Sequence, residues 1–535
     1  MTTESLLLHN GPIHILDDAG SIVNAIRFEN GVVDAVGADA LNDADVTERI
    51  DLDGCTVLPG FNDAHTHILS VGLTIHETDL ETTDNRREAL ELLGENAERT
   101  DSGDWVLGFG YDESTWPVSD REYLTRDELD AVSDEHPIAA QRIDGHTITL
   151  NSAGQDRVDF DGVEHDLRRD ERGELTGVVV EDAAIRVKKA TYPDREKART
   201  ALELGVRRAN ELGLTSIQDM AGMTTPTGDG DPAHAAFFAA WRDDDLPIRL
   251  GYYVHVDRGD DLSNLEIASG FGDDRLRILG LKVFADGAIG SQTAKLTGEF
   301  HDDPGNDGQF VIGRERLTKA FAGAARANQQ IATHAIGDEA IDVVLDAYED
   351  VLEEYTVPEP RLRIEHVELA TDEQIERMAD LGIVASMQPN FVQWSKPNGL
   401  YETRLGRQWR RRNNRHGVVL EEGVPLAFGS DKMPFGPLYG IHHAVNAPHD
   451  AQRLSVEEAI RAYTQGGAYA EHAEDRKGTL ERGMLADAVI LDRDPFEHPE
   501  NIVNIDVRAT IIGGEFVYEA PSSVSDHRGR VHSEF

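Results

Sequence analysis

The 535-residue chain carries 100 acidic against 51 basic residues, a formal net charge of -49 at pH 7, and 39% apolar residues. Such a charge opposes nucleic-acid phosphates and anionic membrane surfaces, which excludes both as expected partners. The length allows one large catalytic domain with an accessory domain, or three ordinary ones.

Cys55 is the only cysteine, so no intramolecular disulfide can form and a reducing compartment is the simplest expectation. The opening "MTTESLLLHNGP" has no basic n-region, and no apolar run approaches the roughly 20 residues of a membrane span. A cytoplasmic location is expected. Lysine is scarce and the acidic excess is spread along the chain, as in proteins adapted to concentrated salt. This reads as a halophilic cytoplasm, with an ordinary acidic soluble protein as the alternative.

In chain order, "SLLLHNGPIHIL", "NAIRFENGVVDAVG" and "ERIDLDGCTVLPG" alternate short apolar runs with turn residues and predict a small antiparallel sheet over residues 1–58. "MLADAVILDRD" and "NIVNIDVRATIIGGEFVYE" have the same character near the other end. Together they predict a small β-sandwich-like domain built from both termini, residues 1–58 and 475–522, with 523–535 as a flexible tail.

Between them, β-branched strands alternate with amphipathic helices, the pattern of a parallel α/β fold. The strands are "TVLPGFNDAHTH", "LTSIQDM", "IRLGYYVHV", "ILGLKVFADG", "QIATHAIGD", "RLRIEHVEL", "IVASMQPNF" and "PLAFGSDK". Eight is the number a (β/α)8 TIM barrel needs, placed at 59–474. "RERLTKAFAGAARANQ", "DEAIDVVLDAYEDVLEEY" and "TDEQIERMADLG" supply helices before the fifth, sixth and seventh strands. An insertion at about 80–190 follows the first strand, since its length exceeds an ordinary βα loop. It holds strand candidates of its own, "DWVLGFGYDE" and "PIAAQRIDGHTITLN".

On a strand, residues i and i+2 point to one side, so His65 and His67 in "GFNDAHTH" project together and can chelate one metal. Lys282, His334, His366 and Asp431 stand at the ends of strands four, five, six and eight, the rim where barrel enzymes gather their chemistry. Taken singly, the histidines also read as hydrogen-bonded core residues. Asp431 also reads as a helix N-cap, and Lys282 as a partner for Asp286 on its own strand face.

The ordered set "LPGFNDAHTH", "DGHTITLNS", "LKVFADGAIGSQTAKL", "THAIGDEAID", "RIEHVEL", "MQPNF", "GSDKMPFGPL" and "KGTLERGMLADAVILDRDP" resembles the amidohydrolase superfamily, specifically amidohydrolase family 3, the YtcJ-like proteins related to N-substituted formamide deformylase. The resemblance spans nearly the whole chain. It implies that His65, His67 and Asp431 hold one metal and His334 and His366 a second, with Lys282 bridging them as a carbamate formed with carbon dioxide. A lysine in a low-dielectric site is pushed toward the neutral amine that captures carbon dioxide. Imidazole and carboxylate ligands suit zinc first, and also iron, manganese or nickel; one or two ions per chain are expected.

On this reading a metal-activated water attacks an amide carbonyl, and Asp431 takes its proton and hands it to the leaving nitrogen. His146, Trp116 and Tyr111 are the substrate-contact candidates of the insertion. Asp63 and Asp286 are expected to support the site by hydrogen bonds. "RQWRRRNNRHG" gathers Arg410, Arg411, Arg412 and Arg415 in a helix-like stretch, read as a solvated face ahead of an anion site.

The expected function is hydrolysis of a carbon-nitrogen bond other than a peptide bond, in a small or N-substituted amide. The alternatives are a deaminase or esterase of the same superfamily, or a non-catalytic ligand-binding protein on the same scaffold. A homodimer is expected only by analogy with the superfamily.

Overall fold

The eight segments read as barrel strands form one parallel sheet in the computed structural model, which describes residues 5–42, 46–220, 231–357 and 359–521. The segment expected to be a tail, 523–535, lies outside the described residues. The strands are β1 (Phe61–Thr66), β2 (Leu214–Asp219), β3 (Arg249–His255), β4 (Leu276–Phe284), β5 (Gln330–Ala335), β6 (Arg363–His366), β7 (Val384–Met387) and β8 (Leu426–Phe428). Each pairs in parallel with the next in chain order.

No ladder joins β8 to β1; the ring is drawn together there by polar contacts. The Asp431 amide donates to the His65 carbonyl at 2.8 Å. The Asp63 carboxylate accepts from the Ser430 amide at 3.0 Å and its hydroxyl at 2.5 Å. Gly429 makes the approach feasible, because a Cβ on it would lie 2.4 Å from the His65 nitrogen.

Helices at Arg314–Arg326, Asp338–Glu354 and Asp372–Leu381 lie where the apolar periodicity predicts them. Each turns an apolar face to the barrel, such as Ile341, Val344, Leu345 and Tyr348 of the second, with burial worth roughly 25 cal/mol per Å² of apolar surface. Thr371 and Gln374 form a capping box at the start of the third, and Gly382 ends it at φ 65°, where a Cβ would be strained. None of the described helices is long and apolar enough to cross a membrane.

Strands from both ends share a second sheet, in the spatial order 515–519, 507–512, 488–491, 56–59, 5–14, 22–29 and 32–36, with 48–51 also on 5–14. It is mixed, which corrects the antiparallel expectation. Ser5–His14 runs parallel to Glu48–Asp51 and to Thr56–Pro59, because the chain leaves the hairpin through residues 37–42 and returns in the first strand's direction. Leu8, Ile26, Phe28, Ile490 and Ile511 join the two ends in one apolar cluster.

The insertion builds a third sheet of six short strands between Thr78 and Val180. It is tied to the barrel mouth by Trp394 Nε1, which donates to Asp112 at 2.8 Å, and by the Tyr123 hydroxyl, which donates to the Gly290 carbonyl at 2.7 Å.

Candidate active site

His65 and His67 leave the end of β1 two residues apart, and Asp431 reaches them from just beyond β8. Asp431 Oδ1 lies 3.4 Å from His67 Nε2 and 3.8 Å from His65 Nε2, and one ligand atom from each residue falls within 4.8 Å of the others. His366, at the end of β6, stands with its ring centroid 4.8 Å from that of His65 and 4.5 Å from that of His334 on β5. Lys282 of β4 is fully buried, its Nζ 5.0 Å from the Phe284 ring and without a hydrogen-bond partner among the described residues.

Each inner histidine is held by the nitrogen it turns away from the cluster. His65 Nδ1 donates to Glu365 Oε2 at 2.6 Å, His366 Nδ1 to Gln388 Oε1 at 2.7 Å, and His334 Nε2 to the Gly287 carbonyl at 3.0 Å. These contacts fix ring orientation and leave His65 Nε2, His366 Nε2 and His334 Nδ1 as acceptors. Glu365 is itself locked by Arg363 Nε at 2.8 Å, and the same guanidinium donates to the Ala64 carbonyl at 2.8 Å.

Asp63 and Asp286 both accept backbone amides. Asp63 accepts the His65 amide at 3.1 Å in addition to its contacts with Ser430. Asp286 accepts the amides of Lys295, Ile336 and Gly337 at 2.9, 3.0 and 2.8 Å. It is therefore occupied by backbone, and the alternative pairing of Lys282 with Asp286 is not formed. Burial, only partly offset by these bonds, raises both carboxyls to about 7.

Burial pushes the imidazoles of His65, His334 and His366 well below their ordinary range, reinforced by neighbouring cations. Burial also brings the Lys282 ammonium down to about 8, against the pull of Glu365 and Asp431. Asp431 moves the other way: burial would raise it, but His65, His67 and Lys282 hold it below the usual carboxylate range. Neutral imidazoles, a carboxylate and an unpartnered buried amine make a donor set suited to divalent metal. The residues present fit the group.

The backbone is bent to aim them. His366, Val367, Asp431 and Lys432 have φ of 78°, 53°, 48° and 57°, a left-handed region unfavourable for non-glycine residues and least suited to a β-branched one.

The cluster forms the floor of a cavity of about 230 Å³. His146 stands on its wall, its ring 5.4 Å from His334 and its Nδ1 3.0 Å from Glu181. Burial opposes the charged form of His146, but Glu181 outweighs it and the imidazole is raised. Tyr111 and Trp116 are not on the wall, which corrects their reading as substrate contacts. They pack in the insertion's own core with Leu80 and Leu93. Their polar atoms are satisfied there, the Tyr111 hydroxyl by Thr149 at 3.1 Å and Trp116 Nε1 by the Thr83 carbonyl at 3.0 Å.

The arginine run is not one helix: Arg410 and Arg411 end a short 3-10 turn at Arg407–Arg411, and Arg415 precedes the helix His416–Glu421. Arg415 pairs with Asp372 and Arg410 lies 3.6 Å from Glu402, both half-buried, while Arg411 and Arg412 are exposed.

Glu365, Arg363 and Gln388 escaped the sequence reading. The available signal was the pattern "RIEH", where two charged residues at i and i+2 share one face of a short, fully buried strand. Such a pair must be mutually satisfied inside the barrel.

The amidohydrolase family profile matches residues 48–518. The chain is 30% identical to the amidohydrolase-family protein YtcJ of Bacillus subtilis, over 96% of this chain and 99% of the other. It is 27% identical to the N-substituted formamide deformylase of Arthrobacter pascens, over 97% and 99%. Among solved structures, an uncharacterized metal-dependent hydrolase of Pyrococcus furiosus superposes with a TM-score of 0.73 at 30% identity, covering 92% of this chain and 100% of that one. A nearly closed parallel barrel whose strand ends converge on a metal-type donor set, matched over almost its full length, makes this chain a member of the amidohydrolase family.

Proposed function

We propose that the protein hydrolyses a carbon-nitrogen bond other than a peptide bond, in a small or N-substituted amide, in a metal-dependent reaction. The observation that carries this reading is Lys282: a fully buried amine, without a hydrogen bond among the described residues, amid the inner histidines and Asp431. A deaminase centred on one metal would have no use for it, and a binding protein would not maintain its cost of burial. Hydrolysis of small amides also agrees with the deformylase relative.

In this reading His65, His67 and Asp431 would hold one ion and His334 and His366 a second, and Lys282, once carboxylated by carbon dioxide, would add an anionic ligand. When bound, zinc or a related divalent ion supplies Lewis acidity toward a carbonyl oxygen and acidifies water. The chain's own residues do the rest. Glu365, Gln388 and the Gly287 carbonyl hold three imidazoles in register. Asp431, kept ionised by the histidines beside it, accepts a proton from the attacking water and returns it to the leaving nitrogen. His146, carried on the insertion and raised by Glu181, faces the same space and donates to the substrate.

The test is metal content per chain in protein purified without added metal, beside Lys282→Ala, with amide and ester panels on the loaded enzyme. About two transition-metal ions falling to one or fewer in the variant, with amide turnover by loaded protein alone, is the expected result. No metal uptake after zinc is supplied would overturn the mechanism. Ammonia release from aminated purines or pyrimidines in place of amide hydrolysis would move the assignment to a deaminase.

A further inference from the structure

Glu181 opens the helix Glu181–Ala190 of the insertion at φ 41°, a left-handed conformation that a non-glycine residue holds only where its surroundings enforce it. His146 is what enforces it. The Glu181 amide donates to the His146 carbonyl at 3.2 Å, and His146 Nδ1 donates back to the two carboxylate oxygens at 3.1 and 3.0 Å. The ring is left with Nε2 for the cavity whose wall it forms. Glu181 itself is 3% exposed and stands behind that wall.

The same carboxylate reaches across to the barrel, where Oε1 accepts the Thr293 hydroxyl at 2.5 Å. Thr293 lies in the loop after β4 and folds that loop on itself. Its Oγ1 accepts the Ala288 amide at 3.0 Å, its amide donates to the Ala288 carbonyl at 3.0 Å, and its carbonyl accepts the Gly287 amide at 3.3 Å. The Gly287 carbonyl is in turn the acceptor for His334 Nε2. Position 287 has to be glycine here, because a Cβ would lie 2.1 Å from Thr293 Oγ1 and 2.5 Å from Glu181 Oε1. One buried carboxylate thus stands between two histidines whose ring centroids are 5.4 Å apart, touching one directly and the other through a tight loop.

Docking of the insertion does not call for this arrangement, since Trp394 with Asp112 and Tyr123 with Gly290 already join the two units. A buried carboxylate is costly unless donors meet it. Among the described residues, the only side chains that donate a hydrogen bond to Glu181 are His146 and Thr293.

We propose that Glu181 is a positioning residue shared by His146 and His334: it aims the first into the cavity directly, and through Thr293 and the Gly287 carbonyl it sets the ring of the second. The insertion is thereby part of the frame that holds the candidate ligands, and not only a cover above them. This deepens the amide-hydrolase reading and rests on it for what His146 does to a substrate, though not for the ring geometry.

The test uses metal-free protein labelled with nitrogen-15 histidine, whose long-range proton-nitrogen spectra report the proton and hydrogen bond on each ring nitrogen. The two rings are assigned by the signals lost in His146→Gln and in His334→Gln. Glu181→Met, which keeps the volume and removes the acceptors, is expected to move the signals of both rings. Thr293→Val should move those of His334, and Thr293→Ser, which keeps the hydroxyl, should leave both in place. Zinc competition with a chromophoric chelator reads the consequence: affinity about 10-fold weaker or more in Glu181→Met and Thr293→Val, and unchanged in Thr293→Ser. A His146 signal unmoved in Glu181→Met overturns the assignment, as does a His334 signal or a zinc affinity unaltered in both Glu181→Met and Thr293→Val. So does a Ser variant that behaves like the Val variant, since bulk and not the hydroxyl would then hold the loop. If Glu181→Met does not fold, the Val and Ser pair decides the barrel arm and Glu181→Gln, with one acceptor left, decides the His146 arm. Failure of the parent protein to take up zinc or to hydrolyse amides would count against the metal-dependent reading, while the metal-free spectra still decide the role of Glu181.

Discussion

His65 and Glu365, three hundred residues apart, meet inside the barrel at 2.6 Å. The carboxylate fixes the ring nitrogen that faces away from the cluster, so that Nε2 is the one turned to Asp431. Arg363 anchors Glu365 in turn, and its guanidinium also reaches the Ala64 carbonyl one residue before His65. Position and tautomer of one candidate ligand are thereby set through the strand that also carries His366.

Replacing Glu365 by Gln retains shape but removes the charge that fixes the tautomer and raises imidazole basicity. Losses of this kind weaken metal affinity by about 10- to 100-fold. Competition with a chromophoric chelator should show that decrease while the circular dichroism spectrum is unchanged. Unaltered affinity would mean that His65 is positioned by packing alone.

Gly429→Ala tests the β8 to β1 closure. The new methyl would meet the His65 nitrogen at 2.4 Å and its Cβ at 2.6 Å, and both belong to a strand that cannot yield without moving a candidate ligand. A cost of about 1–3 kcal/mol is expected, together with weaker metal binding, because the Asp431 amide is bonded to the His65 carbonyl. Chemical denaturation and metal titration check the two effects; loss of stability with metal affinity intact would uncouple the closure from the site.

Much of this arrangement was legible in the sequence because it follows from short-range rules. Eight β-branched segments with amphipathic helices between several of them specify the barrel, and the i, i+2 spacing of His65 and His67 puts both on one side of β1. Thr371, Gln374 and Gly382 mark a helix start and stop by local chemistry. What stayed hidden depends on registry between distant strands. That Glu365 faces His65, that Gln388 faces His366, or that Asp63 faces Ser430 cannot be read from any one segment. Tyr111 and Trp116 show the same limit in reverse. Their amphipathic side chains suit a binding wall, yet Thr149 and the Thr83 carbonyl satisfy them inside the insertion.

The net charge of -49 predicts a salt response. Repulsion among exposed carboxylates destabilises the folded chain at low ionic strength, where the Debye length is about 30 Å at 0.01 M and falls to about 3 Å at 1 M. The thermal midpoint should therefore rise as KCl is increased from 0.05 to about 2 M, and most steeply at the low end where screening changes most. A flat or falling midpoint would argue for an ordinary acidic protein without adaptation to salt.

His416 supplies a pH prediction remote from the candidate metal ligands. It is fully buried against Phe428, with Nδ1 3.2 Å from the Gln452 carbonyl and no partner for Nε2 among the described residues. Burial lowers its imidazole from 6.5 to about 4, only slightly offset by that carbonyl. Between those values the unfolded chain binds a proton that the folded chain refuses. Its contribution to stability is therefore complete above about pH 6.5 and is lost as pH falls toward 4. At pH 5 the loss amounts to about 2 kcal/mol. His416→Gln keeps a donor for the Gln452 carbonyl but cannot titrate, so the variant, less stable at pH 7, should close about 2 kcal/mol of the gap to the parent by pH 5. Urea unfolding at both pH values measures the gap. Parallel behaviour of the two proteins would show that His416 is protonated, or hydrated, in the fold.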